Sequence, residues 1–62
     1  PVIQFDAEAI ERLIHGQVVS AADAVGGVLA QAYSAEMQFI AIVEGNGGGW
    51  IPRKVFAQEV GL

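Results

Sequence analysis

The stretch Gln17-Val18-Val19-Ser20-Ala21-Ala22-Asp23-Ala24-Val25-Gly26-Gly27-Val28-Leu29-Ala30-Gln31-Ala32-Tyr33 decides how this chain folds. Its apolar residues Val18, Ala22, Val25, Leu29 and Ala32 recur at spacings of four and three, which places them on one face of a helix. The spacing therefore predicts a long helix over residues 17–33. Gly26 and Gly27 lie inside it, each costing roughly 1 kcal/mol relative to alanine, and close packing of a helix on a sheet offsets such a cost. The alternative is a break at these two glycines.

Outward on the N-terminal side, Val2 to Phe5 suits a strand by its apolar and β-branched content. Asp6 follows as a cap for a helical segment Ala7-Glu8-Ala9-Ile10-Glu11-Arg12-Leu13-Ile14 that ends near Gly16. On the C-terminal side, Phe39-Ile40-Ala41-Ile42-Val43 is a continuous apolar run bounded by Glu44-Gly45, which reads as a strand buried on both faces. Two strands joined by a helix of this length make a β-α-β unit with parallel strands and a right-handed crossover. The helix covers one sheet face, and nothing left in the chain covers the other, so that face is expected to pack on another chain. The tail from Ile51 to Leu62 is expected to form a turn, a short hairpin or one helical turn at a subunit boundary.

Composition supports association. The 62 residues make a single domain, 1–62, without linker, repeat or low-complexity segment, and a domain this small buries only roughly 60% of its unfolded surface. Yet 53% of its residues are apolar, more than so small a body hides, and there is no cysteine to form a disulfide or a thiolate metal site. Oligomerisation is the expected stabiliser. No apolar run reaches the length of about 18 residues that spans a bilayer, and no basic segment precedes an apolar one, so a soluble, cytoplasmic protein is expected. A net charge of −4 with three cationic side chains disfavours nucleic acid.

Several chemistries are disfavoured by the residue inventory. His15 is the sole histidine and reads as a helix-end or surface residue, while the carboxylates show no metal-ligand spacing. One histidine, no cysteine and two serines leave no nucleophilic triad. The loop Gly45-Asn46-Gly47-Gly48-Gly49 has the glycines of a phosphate cradle but no Lys-Ser/Thr after it, so a mobile or tightly turning loop beside a site is the preferred reading.

What remains is Pro1, Arg12, Gln38, Phe39, Trp50, Arg53 and Lys54. A proline at the head of a chain offers a secondary amine, which serves as base or nucleophile near neutral pH without a cofactor. With Pro1-Val2-Ile3-Gln4 at the front, Arg12 past the first strand, and the run from Phe39 through Glu44 to Trp50, the chain resembles the 4-oxalocrotonate tautomerase family over nearly its whole length. Phe39 to Trp50 is most similar to the α-subunit of the family's trans-3-chloroacrylic acid dehalogenase.

The resemblance implies an α/β fold, a β-α-β subunit with parallel strands and a short C-terminal hairpin or turn, assembled as a homo-hexamer or as a heterohexamer with a related short chain. It implies cofactor-independent tautomerase chemistry, with no metal, on a small unsaturated 2-hydroxy or 2-oxo acid such as 2-hydroxymuconate. Pro1 would act as the general base and Arg12 would grip the substrate carboxylate through its bidentate guanidinium, unless Arg12 is a solvated helix residue paired with Glu8. Phe39, Trp50 and Arg53 would bind substrate, Trp50 as the apolar wall that favours a neutral amine. Two departures stand out: Phe39 and Gln38 occupy the position of the family's strand-two arginine, and Pro52 occupies the stretch where the dehalogenases carry a water-activating carboxylate. They leave open a subunit of a heterohexameric 3-chloroacrylate dehalogenase or hydratase, or a non-catalytic structural subunit of such an assembly.

Overall fold

The computed structural model describes residues 1–56. Its elements run β1 (Val2–Gln4), α1 (Ala7–Ile14), β2 (Val19–Ser20), β3 (Leu29–Tyr33), β4 (Phe39–Gly45) and β5 (Gly49–Val55). One helix packs on a curled, mixed five-stranded sheet ordered β1-β3-β4-β5-β2, an α/β-like arrangement.

The first helix forms where the sequence places it. Asp6 adopts extended backbone and its carboxylate accepts from the Ala9 N–H at 2.9 Å, satisfying a donor that the first turn leaves open. At the other end Gly16 takes φ +77 and its N–H reaches the Leu13 carbonyl, while the Gln17 N–H reaches that of Arg12. This paired closure is the Schellman arrangement, and it needs a residue that tolerates positive φ at position 16. Ile10 and Leu13 point from α1 into the core, joined by Phe5 and Trp50 and by the sheet residues Ala30, Ala32, Ile40, Ala41 and Val43.

The predicted helix over 17–33 is not there. The stretch instead contributes β2, a loop through Gly26-Gly27, and β3. The supposed buried face is largely solvent-facing, with Val18 46%, Val25 63% and Leu29 56% exposed. In β3 burial alternates residue by residue, Ala30 and Ala32 inward and Leu29 and Gln31 outward, the period of a strand. Gly27, at φ +84, donates to the Gly45 carbonyl while Gly45 donates to Val28. The loop is thereby bonded to the end of β4, a closure that a helix through the two glycines would forfeit.

A parallel pair connected through a helix does exist, but its second member is β3 rather than the Phe39 run. Val2 lies opposite Gln31 and Ile3 opposite Ala32 in parallel register, with α1 in the connection. The Phe39 run is β4, and it pairs antiparallel with β3 on one side and β5 on the other. It is therefore a central strand, though not buried on both faces: Ile40, Ala41 and Val43 are buried while Phe39 is exposed and Ile42 only partly covered. Ile40 opposite β3 and Arg53 opposite β4 are extra residues at register shifts, which curl the sheet.

The Gly45–Gly49 segment is a tight hairpin turn joining β4 to β5. Asn46 accepts from the Gly48 N–H through its side chain and donates its own N–H to the Gly49 carbonyl, with Gly47 at φ +87. An Asn-Gly pair between two strand runs is a hairpin signal in its own right. Of the tail, Ile51–Val55 is strand, part of this C-terminal hairpin; the remainder of that expectation, from Ala57 onward, lies outside the described residues.

The helix lies over β4, β5 and β2. The opposite sheet face carries Val2, Leu29 and the tilted ring series Tyr33–Phe39–Phe56, with centroid separations of 5.5 and 5.0 Å. No element among the described residues covers it.

Candidate functional site

The sequence-derived site residues are dispersed in the single chain. Pro1 is exposed at the start of edge strand β1, with its carbonyl accepting from Gln31 N–H at 2.8 Å. Trp50 lies on β5, three strands away in the sheet order. It is only 7% exposed, opposite Gly45 and Val19, so it belongs to the chain's own core rather than to an open wall. Arg12 sits on α1 with its guanidinium 3.8 Å from Glu8, the helix pairing considered above, and borders a small polar hollow with Asp6 and Ser20. Arg53 pairs with Glu44 at 3.3 Å, and Lys54 stands over the Phe56 ring at 5.7 Å.

Of these residues only Phe39, with its neighbour Gln38, borders the apolar cleft beside α1. This cleft, of about 750 Å³, opens between α1 and the turn that joins β3 to β4. Phe5, Ile10, Ile14, Phe39 and Ile40 supply its apolar surface. Glu11 and His15 border it from the helix, and Ser34, Glu36 and Gln38 from the turn. His15 caps the end of α1 with Nδ1 2.9 Å from the Glu11 carbonyl. A carbonyl only accepts, so Nδ1 carries the hydrogen and, in the neutral ring, Nε2 is left as an acceptor.

The turn wall is held from two sides. Ser34 donates its N–H to the Gln38 carbonyl and accepts the Gln38 N–H at its hydroxyl, 3.2 Å away. From β1, the Gln4 amide donates to the carbonyls of Ala35 at 3.0 Å and Ser34 at 3.3 Å, and its Nε2 lies 3.5 Å from Met37 Sδ. Met37 takes φ +64, a conformation that L side chains seldom hold without such restraint. The cleft is therefore built between two internally bonded walls, a capped helix and a strapped turn.

Sequence reading did not find this site because it assigned Tyr33 to a helix end. The legible signal was the short polar stretch Ser34-Ala35-Glu36-Met37-Gln38 between two apolar segments, which has the composition of a hairpin loop. The phosphate reading of the glycine loop finds no support in its geometry, since the Gly48 and Asn46 N–H groups are already taken up within the turn. No helix among the described residues is long and apolar enough to cross a membrane. In what it is comparable to, the chain stands on its geometry: neither family models nor curated proteins give a match.

Proposed function

We propose that this chain is a small-molecule binding module whose ligand lies in the cleft between α1 and the β3–β4 turn. The observation that carries the reading is the cleft itself. Its volume of about 750 Å³ falls in the range of small-molecule sites, and five apolar side chains with a few polar groups at the margin are the usual composition of one. An aliphatic chain of eight carbons gains roughly 0.8 kcal/mol for each methylene that leaves water, enough for measurable binding at such a surface. Titration with octanol, followed by amide chemical shifts, is expected to move the resonances of Ile10, Ile14, Phe39 and Ile40. Phe39→Ala, which removes one wall, is expected to weaken binding by about fivefold. Shifts spread evenly over the molecule would overturn the reading.

A second reading, favoured by the exposed position of Pro1 on an edge strand, is cofactor-independent tautomerase catalysis in an assembly. Here Pro1 is the base acting on a 2-hydroxymuconate-like acid, and a neighbouring copy or a related short chain supplies the cations that this chain places elsewhere. The uncovered sheet face with Val2, Leu29 and Phe39 provides a surface for a homo-hexamer or heterohexamer. The heterohexameric dehalogenase or hydratase and the structural subunit are variants of the same assembly. This reading expects native mass spectrometry to show a hexamer and Pro1→Ala to abolish ketonisation of 2-hydroxymuconate. Equal rates for the two proteins would end it.

A further inference from the structure

We infer that the ligand of the α1 cleft is an amphipathic organic cation, an amine carried on an apolar body. The inference rests on the cleft being a binding site and adds the charge of its occupant. Glu11 on the helix wall and Glu36 on the turn wall border the cleft from opposite sides, and no lysine or arginine lines it. The chain has three such cations in all, and each is placed elsewhere: Arg12 beside Glu8, Arg53 beside Glu44, Lys54 over the Phe56 ring. Glu11 and Glu36 make no ion pair among the described residues, whereas Glu8 and Glu44 do.

The polar groups that accompany them suit a donor ligand. The two carboxylates accept only; with Nδ1 engaged at the Glu11 carbonyl, a neutral His15 ring presents Nε2 as an acceptor, and the Ser34 hydroxyl and Gln38 amide can accept or donate. An ammonium has three donors to give and no acceptor, so it matches this border, whereas a carboxylate head group would meet like charge on both walls. The net charge of −4 acts in the same direction at longer range. The apolar surface formed by Phe5, Ile10, Ile14, Phe39 and Ile40 then takes the body of the ligand.

The test uses the full chain with three probes of equal length: octylamine, octanol and octanoate, each titrated at low and high salt and followed by the amide shifts of Ile14, His15 and Phe39. Octylamine is expected to bind on the order of five- to tenfold more tightly than octanol at low salt, with octanoate weakest and the preference shrinking at high salt. In the double variant Glu11→Gln/Glu36→Gln, the preference for octylamine over octanol is expected to vanish, the two probes then binding alike. Equal binding of all three probes to the unaltered chain, or a preference for octanoate, overturns the inference while leaving the cleft a binding site. A preference for octylamine that survives in the double variant also overturns it. Failure of all three to shift the cleft resonances overturns both.

Discussion

Leu13→Ala is expected to cost about 3 kcal/mol, read as a lowered midpoint of urea unfolding followed by circular dichroism. Leu13 is wholly buried and, with Val43, is the largest side chain to be so. It joins α1 to the sheet, in a core that also holds Phe5, Ile10, Ile40, Val43, Trp50 and the small sheet residues Ala30, Ala32 and Ala41. Close-packed surroundings relax only in part into the vacated volume, so a cavity term adds to the transfer term. A core this small supplies only about 3–5 kcal/mol in total, so the variant is expected to lie near the point of half unfolding without denaturant. Leu29→Ala provides the comparison. Leu29 is exposed on β3, and its truncation is expected to shift stability by less than about 0.5 kcal/mol. Comparable losses for the two would restore the helix reading of residues 17–33.

Gly45→Ala is expected to be nearly as damaging, at about 2–3 kcal/mol, which lowers the melting temperature by about 15 °C in a domain of this size. A Cβ at Gly45 would collide with the backbone carbonyl of Val25, an atom that no side-chain rotation can remove. Displacing that carbonyl would also disturb the reciprocal bonds of the loop, from Gly27 to the Gly45 carbonyl and from Gly45 to that of Val28, each 2.8 Å. Gly48→Ala sits three residues away with nothing within 4 Å of its added carbon, and it is expected to be nearly silent. A melting temperature for Gly45→Ala within a few degrees of the unaltered protein would show that the Gly26-Gly27 loop does not hold to β4 as described.

The two readings of function differ in what they ask of the chain. Cleft binding uses residues that one copy already brings together: Ile10, Ile14, Phe39, Glu11 and Glu36. Catalysis at Pro1 requires a free amine there and the approach of another chain, because Trp50 is buried in its own core and both arginines are paired on other surfaces. Phe39 touches both readings, lining the cleft while stacking between Tyr33 and Phe56 towards the uncovered sheet face. Pro1 lies at the opposite end of β1 from Phe5, where the cleft begins, about 13 Å along the strand. Ligand binding in the cleft and chemistry at Pro1 would therefore be separable by substitution.

Local sequence by itself determined the parts whose interactions are local. Asp6 and Gly16 bracket α1 because capping is decided within a few residues, and the apolar run from Phe39 is a strand because its β-branched content and length allow little else. The Asn46-Gly47 turn was legible too, through the φ that its glycine accepts. Residues 17–33 were decided only by tertiary structure. Alanines and valines at spacings of three and four fit a helix stripe, yet Ala30 and Ala32 also fit the inward face of a strand, and propensity cannot separate the two when the side chains are this small. Placement of β3 between β1 and β4 resolves it, since both edges of that strand find backbone partners there. The cleft is of the same kind: its walls are a helix from residues 7–14 and a turn from residues 34–38, brought together only when the sheet between them closes.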